Sequence, residues 1–175
     1  ELASGRALAG GQEMSKTLAM VTTFRQVDAD TPIVLMGYYN PIYNYGLEEF
    51  ARDAAGAGVD GLIIVDLPPE EEDEFSVFSK AAGIDIVRLI APTSTDDRIG
   101  TLVENASGFL YYVSVRGITG TRSATADEIA QNVARIRKQT DLPVAVGFGI
   151  RTPEQAAEVA TVSDAAVVGS AIVEH

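Results

Sequence analysis

Phe109-Leu110-Tyr111-Tyr112-Val113-Ser114 is followed by a helix start at Thr125-Ala126-Asp127-Glu128 and by a second apolar run at Pro143-Val144-Ala145-Val146-Gly147-Phe148. The outer two segments are short, almost continuously hydrophobic and rich in β-branched or aromatic residues. Strands buried on both faces of a parallel sheet have that character. Between them, Ile129, Val133 and Ile136 fall at i, i+4 and i+7, which is one stripe of a helix. Thr125 and Glu128 have capping-box spacing, so that each satisfies an orphan backbone donor of the first turn. Two parallel strands joined by a crossover helix form a right-handed βαβ unit.

The same alternation extends outward from this unit. Further apolar runs occupy residues 32–39, 61–65, 84–90 and 165–168, and amphipathic stretches at Leu47–Ala57, 69–82 and 96–106 read as crossover helices. Thr152-Pro153-Glu154-Gln155 opens another helix, with Thr as N-cap and Pro pre-set for the first turn. Residues 13–27 read as a helix preceding the first strand. Strands alternating with crossovers leave two architectures, an open doubly wound sheet or a barrel. The first strand leads into Gly37-Tyr38-Tyr39-Asn40-Pro41, which lacks the spacing of a dinucleotide fingerprint. The expectation is therefore an α/β chain forming an incomplete TIM (β/α)8 barrel of six parallel strands with crossover helices. Its 175 residues fall short of the roughly 250 of a complete barrel. With no linker or low-complexity stretch, residues 1–175 read as a single, partial barrel domain.

The formal net charge of −12 argues against nucleic acid and anionic membrane surfaces, which are bound by clustered Lys and Arg. No apolar run approaches the roughly 18 residues of a membrane span, and the start lacks the order of a signal peptide. A cysteine-free chain has no disulfide, thiolate nucleophile or Cys-ligated metal. A cytoplasmic protein without a metal site is expected.

In a barrel the active face lies at the carboxyl ends of the strands, and phosphate often sits after the seventh and eighth. Here the last two strands end in Gly147-Phe148-Gly149-Ile150 and Gly169-Ser170-Ala171-Ile172. Glycine lets a phosphate oxygen approach the backbone, so that main-chain N–H groups donate to it. Ser170 adds a hydroxyl beside the start of a short helix. A glycine at either place also serves a tight strand-to-helix turn. Two of them on adjacent strand ends, one followed by Ser, point to phosphate. The loop from Val115 to Ala124 is long and rich in Gly, Thr and Ser, the character of a lid, although a surface loop without a role has the same composition.

Five stretches together resemble the tryptophan synthase alpha subunit family. They are Met36-Gly37-Tyr38-Tyr39-Asn40-Pro41-Ile42, Val65-Asp66-Leu67-Pro68-Pro69-Glu70-Glu71, Tyr111-Tyr112-Val113-Ser114 with Arg116-Gly117-Ile118-Thr119-Gly120, residues 143–150, and residues 169–173. The resemblance covers essentially the whole chain, as strands three to eight. It implies a lyase of tryptophan biosynthesis that cleaves indole-3-glycerol phosphate to indole and glyceraldehyde 3-phosphate. It also implies an alpha2-beta2 type complex with a beta subunit that carries pyridoxal phosphate, and no cofactor in this chain. By resemblance, Gly120, Gly149, Gly169 and Ser170 fall on the phosphate contacts and Phe148 lines the pocket. Tyr111 matches a tyrosine near the glycerol portion of the substrate, and Thr119 a loop threonine that supports the catalytic aspartate.

The family's acid/base glutamate and its indole-anchoring aspartate match positions upstream of residue 1, so no catalytic residue is assigned here. Asp66, a carboxylate at a strand end, has the position of an active-face group and the sequence context of a turn cap. The sole histidine, His175, is terminal and lacks a positioned partner. The run Glu70-Glu71-Glu72-Asp73-Glu74 reads as the solvated first turns of a helix, where acids suit the dipole. Two other readings stand beside the lyase: a phosphosugar isomerase of the same barrel type, and a non-catalytic module that binds phosphate or a partner.

Overall fold

A computed structural model describes residues 2–114, 126–147 and 149–174; the side chains of residues 2–4 are not described. The backbone resolves into two compact units, Glu1–Ile86 and Val87–His175.

The first unit contains α1 (Leu2–Ala9), α2 (Met14–Arg25), β1 (Val34–Gly37), α3 (Tyr39–Tyr45), α4 (Leu47–Ala57), β2 (Gly61–Ile64), α5 (Asp73–Ala81) and β3 (Asp85–Ile86), with a 3-10 turn at Pro69–Glu71. Its sheet has the order β1-β2-β3, parallel throughout, with Val34 opposite Gly61 and Leu62 opposite Ile86. β2 is buried at every position, as its uninterrupted apolar run requires. Phe50 of α4 and Phe75 of α5, each 1% exposed, meet in the core with ring centroids 6.2 Å apart.

The second unit contains β4 (Arg88–Ile90), α6 (Asp96–Glu104), β5 (Leu110–Val113), α7 (Ala126–Arg137), β6 (Val144–Gly147), α8 (Pro153–Ala160), β7 (Ala165–Ala166) and α9 (Ser170–Val173). Its sheet runs β4-β5-β6-β7, again all parallel. The stripe Ile129, Val133 and Ile136 of α7 is buried against Leu110, Tyr112, Val144 and Val146. α8 opens on the Thr152 capping box expected of it, closed by Gln155.

Three features depart from the sequence reading. The run at 84–90 is two strand segments rather than one, because Asp85–Ile86 pairs with β2 and Arg88–Ile90 with β5. A mainly apolar run, here interrupted by Asp85 and Arg88, records burial, not the continuity of a hydrogen-bond ladder. Among the described residues there are thus seven strand segments in two hydrogen-bonded sheets, where six strands were expected. α1 and α3 carried no expectation; in α3, Pro41 sits in the first turn, where its missing N–H costs nothing. Lastly, the acidic run is not uniformly solvated: Glu72 is 2% exposed, while Glu70, Glu71, Asp73 and Glu74 face solvent.

One device clasps the strand starts in both units. Asp60, just before β2, donates its N–H to the Ile33 carbonyl (2.9 Å), and its carboxylate accepts from the Ile33 N–H (2.7 Å). Asp164, just before β7, does the same with Val144, at 3.0 and 2.8 Å. Each carboxylate also pairs with the arginine that ends the helix before the clasped strand, Asp60 with Arg25 of α2 and Asp164 with Arg137 of α7. Arg25 further donates to the Gly58 carbonyl through Nε (2.9 Å) and Nη2 (2.8 Å). Gly58 caps α4 at φ 96°, and a Cβ there would lie 2.8 Å from Arg25 Cγ.

Two outcomes follow from these contacts. Gly58→Ala combines left-handed strain with a clash against Arg25, and should lower the urea midpoint by an amount equivalent to about 1–3 kcal/mol; an unchanged midpoint would refute that role. The Val144 N–H, then Arg137, hold the Asp164 carboxyl below its ordinary value. Its contribution is therefore present above about pH 3.9 and lost as pH falls through the lower, folded-state value. Asp164→Asn should start less stable at neutral pH and lose less stability than the parent on acidification below about pH 4, followed by denaturant melts across that range.

Candidate functional site

Strand alternation and parallel register build the site in the second unit. Along β5, Tyr112 points into the core at 2% exposed, so Tyr111 before it points to the other face. Val113 lies opposite Gly147, which brings the ends of β5 and β6 level. Past these ends, a cavity of about 340 Å³ is lined by Tyr111, Val113 and Ser114, then Gly147, Gly149, Ile150 and Arg151, then Val167, Gly169 and Ser170.

Glycine serves different purposes at these positions. At Gly147, a Cβ would sit 2.5 Å from the Tyr111 hydroxyl and 2.8 Å from its Cε2, so the glycine leaves room for the ring to lie across the strand. At Gly149 nothing lies within 4 Å of a built Cβ, but φ is 73°, a backbone state that a side chain disfavours. Burial pushes the Tyr111 phenol up, so it stays protonated and able to donate near neutral pH.

Among the described residues, no acceptor takes the backbone N–H of Gly149, Gly169 or Ser170. α9 begins at Ser170, and the Gly169 carbonyl accepts from the Ile172 N–H at 2.9 Å, which turns the chain and leaves the preceding amides free. Unpaired main-chain donors around a cavity suit an oxyanion with several acceptor oxygens. Among the described residues, Arg151 is the charged one on this lining.

Of the residues singled out in the sequence, Tyr111, Gly149, Gly169 and Ser170 share this cavity. The loop from Val115 to Ala124 with its Thr119 and Gly120, the Thr125 cap, Phe148 and His175 lie outside the described residues. Asp66 belongs to the first unit, where its Oδ1 accepts the Tyr39 N–H at the start of α3 at 2.7 Å. That bond spans from the end of β2 to the end of β1 and gives Asp66 the work of a cap. Ser114 and Arg151 were not singled out, although the place of Arg151 two residues beyond Gly149 was a readable signal. Ser114 is 5% exposed and donates its N–H to the Gly147 carbonyl at 3.0 Å.

The first unit has a cavity of its own, about 400 Å³, with Leu8, Leu35, Met36, Tyr38, Phe50 and Ile63 among its mainly apolar lining. Among the described residues, no group of three or more His, Cys, Asp or Glu is placed to hold a metal, and no helix is long and apolar enough to cross a membrane.

A family profile described as tryptophan synthase alpha chain matches residues 1–175. The tryptophan synthase alpha chain of Gluconacetobacter diazotrophicus is 60% identical over 173 residues, covering 99% of this chain and 63% of that one. A crystal structure of tryptophan synthase subunit alpha from Legionella pneumophila superposes with a TM-score of 0.86 at 41% identity, over 97% of this chain and 62% of the other. A structure from Pyrococcus furiosus, described as the basis of mutual activation of the tryptophan synthase a2b2 complex, gives 0.83 at 35% identity, over 97% and 67%. The chain thus spans less than two thirds of the length of its curated relative, and its fold is an incomplete TIM (β/α)8 barrel.

The Gly147–Tyr111 contact is open to direct test. Gly147→Ala should force the Tyr111 ring off the strand and destabilise by about 1–3 kcal/mol, measured by denaturant melts. A crystal structure of that variant with Tyr111 in its original place would refute the account.

Proposed function

The chain belongs to the tryptophan synthase alpha chain family, and from that premise we propose that it holds the phosphate end of indole-3-glycerol phosphate. In this reading the protein is a cytoplasmic lyase subunit of tryptophan biosynthesis that releases indole and glyceraldehyde 3-phosphate. The observation that carries it is that Gly149, Gly169 and Ser170, whose amides meet no acceptor among the described residues, line one cavity with the protonated Tyr111.

Breaking the carbon–carbon bond of this substrate requires a proton on the indole ring and removal of a proton from the neighbouring hydroxyl. The resemblance assigns that proton transfer to carboxylates matching positions upstream of residue 1. Residues 1–175 contribute by anchoring. A phosphate gripped by fixed main-chain donors pre-pays the entropy of positioning, and binding energy remote from the reacting bond serves the transition state. Tyr111 stands on the same lining, with its hydroxyl available to the glycerol portion. Indole, the apolar product, passes to a beta subunit in an alpha2-beta2 type complex, and pyridoxal phosphate belongs to that partner rather than to this chain. The family match does not favour the phosphosugar-isomerase alternative.

The test is a bulky residue at Gly149. Gly149→Val places a β-branched side chain at a positive φ next to the anion, and should weaken glycerol 3-phosphate binding by tenfold or more, roughly the loss of one or two charge-assisted hydrogen bonds. Parent-like affinity in a folded Gly149→Val protein would place the phosphate elsewhere.

A further inference from the structure

We propose that Arg151 is a specificity-determining contact of this cavity, its guanidinium pairing with the second negative charge of a phosphate monoester dianion. The inference rests on the phosphate reading above and adds a side chain to a site otherwise built from main-chain donors.

Three observations converge on it. Arg151 lines the cavity together with Gly149, Gly169 and Ser170, and among the described residues no ion pair engages its side chain. In a chain with net charge −12, a cation without a carboxylate partner beside unpaired amide donors stands apart from the general surface. Its backbone is also fixed. Gln155 Oε1 accepts the Arg151 N–H at 2.8 Å and the Thr152 N–H at 3.3 Å, while Thr152 Oγ1 accepts the Gln155 N–H at 3.3 Å. The capping box of α8 thereby holds the root of the side chain at the cavity. Main-chain N–H groups serve a monoanion and a dianion with the same dipoles. A guanidinium adds full charge and a planar fork matched to phosphate oxygens. It therefore favours the dianion, and with it a monoester over a diester.

The experiment measures glycerol 3-phosphate affinity by calorimetry in the full-length protein, the parent beside Arg151→Gln, Arg151→Lys and Gly149→Val. Titrations run from pH 5.5 to 7.5, across the second ionisation of the phosphate near about pH 6, and at two ionic strengths. Arg151 is exposed, so its replacement leaves the packing of the unit intact. Arg151→Gln should bind about tenfold more weakly at pH 7.5 and low salt, the scale of one charge-assisted hydrogen bond. It should also lose most of the affinity that the parent gains as pH rises, and be less sensitive to salt. Arg151→Lys should recover part of both losses. If Arg151→Gln matches the parent in affinity and pH profile while Gly149→Val loses binding, the role of Arg151 is overturned and the phosphate site stands. If the parent binds no glycerol 3-phosphate at any pH, both readings fall.

Discussion

The second unit depends on what Asp164 does at the start of β7. Through its own N–H and its carboxylate it holds both backbone groups of Val144, the first residue of β6. A two-bond clasp at the strand starts sets the register, and register propagates along the ladder. Ala145 meets Ala165, Val146 meets Ala166, and on the other side Gly147 meets Val113. A slip of one residue would turn every side chain to the opposite face. The same slip of β5 against β6 would put Tyr111 in the core and Tyr112 in the cavity. The Arg137 pair adds little by itself, since both side chains are partly exposed and surface ion pairs contribute at most about 1 kcal/mol. It orients the carboxylate that does the clasping.

The same arrangement of aspartate, strand start and helix-terminal arginine recurs in the first unit at Asp60, Ile33 and Arg25. The amino ends of β1 and β6 are thus clasped in the same way in the two units, and the carboxyl ends are left to diverge. In the first unit those ends are tied by Asp66 capping α3 and border an apolar cavity. In the second they border a cation and amides that meet no acceptor among the described residues. Different surroundings at equivalent strand ends let one repeated scaffold present unlike chemistry.

An acidic protein that binds an anionic substrate needs local rather than global complementarity. In the proposed site, the amides of Gly149, Gly169 and Ser170, which meet no acceptor among the described residues, would supply partial charges that do not titrate, and Arg151 the full one. Glycine at 149 is required by its positive φ, and at 147 by the tyrosine ring against it. Two glycines of one short segment therefore serve separate ends, backbone conformation and side-chain clearance.

Hydrophobic period and capping chemistry are local, and for that reason the sequence by itself determined the alternation of strands and helices. The stripe of Ile129, Val133 and Ile136 and the Thr152 box appear where they were read. The strand-end glycines were also legible, because only a few residue types serve such turns. The division of residues 84–90 was not, since Val87 is as buried as Ile86 and Arg88 beside it and only the pairing partners separate β3 from β4. Nor was the burial of Glu72, which takes its environment from distant packing rather than from the acids beside it. Arg151 reads as a surface cation until the ends of β5, β6 and β7 are brought level. The sequence decides which segments are strands and which residues can turn. Only the tertiary structure decides which strand ends meet, because that depends on ladder register, set by hydrogen bonds between residues far apart in the chain.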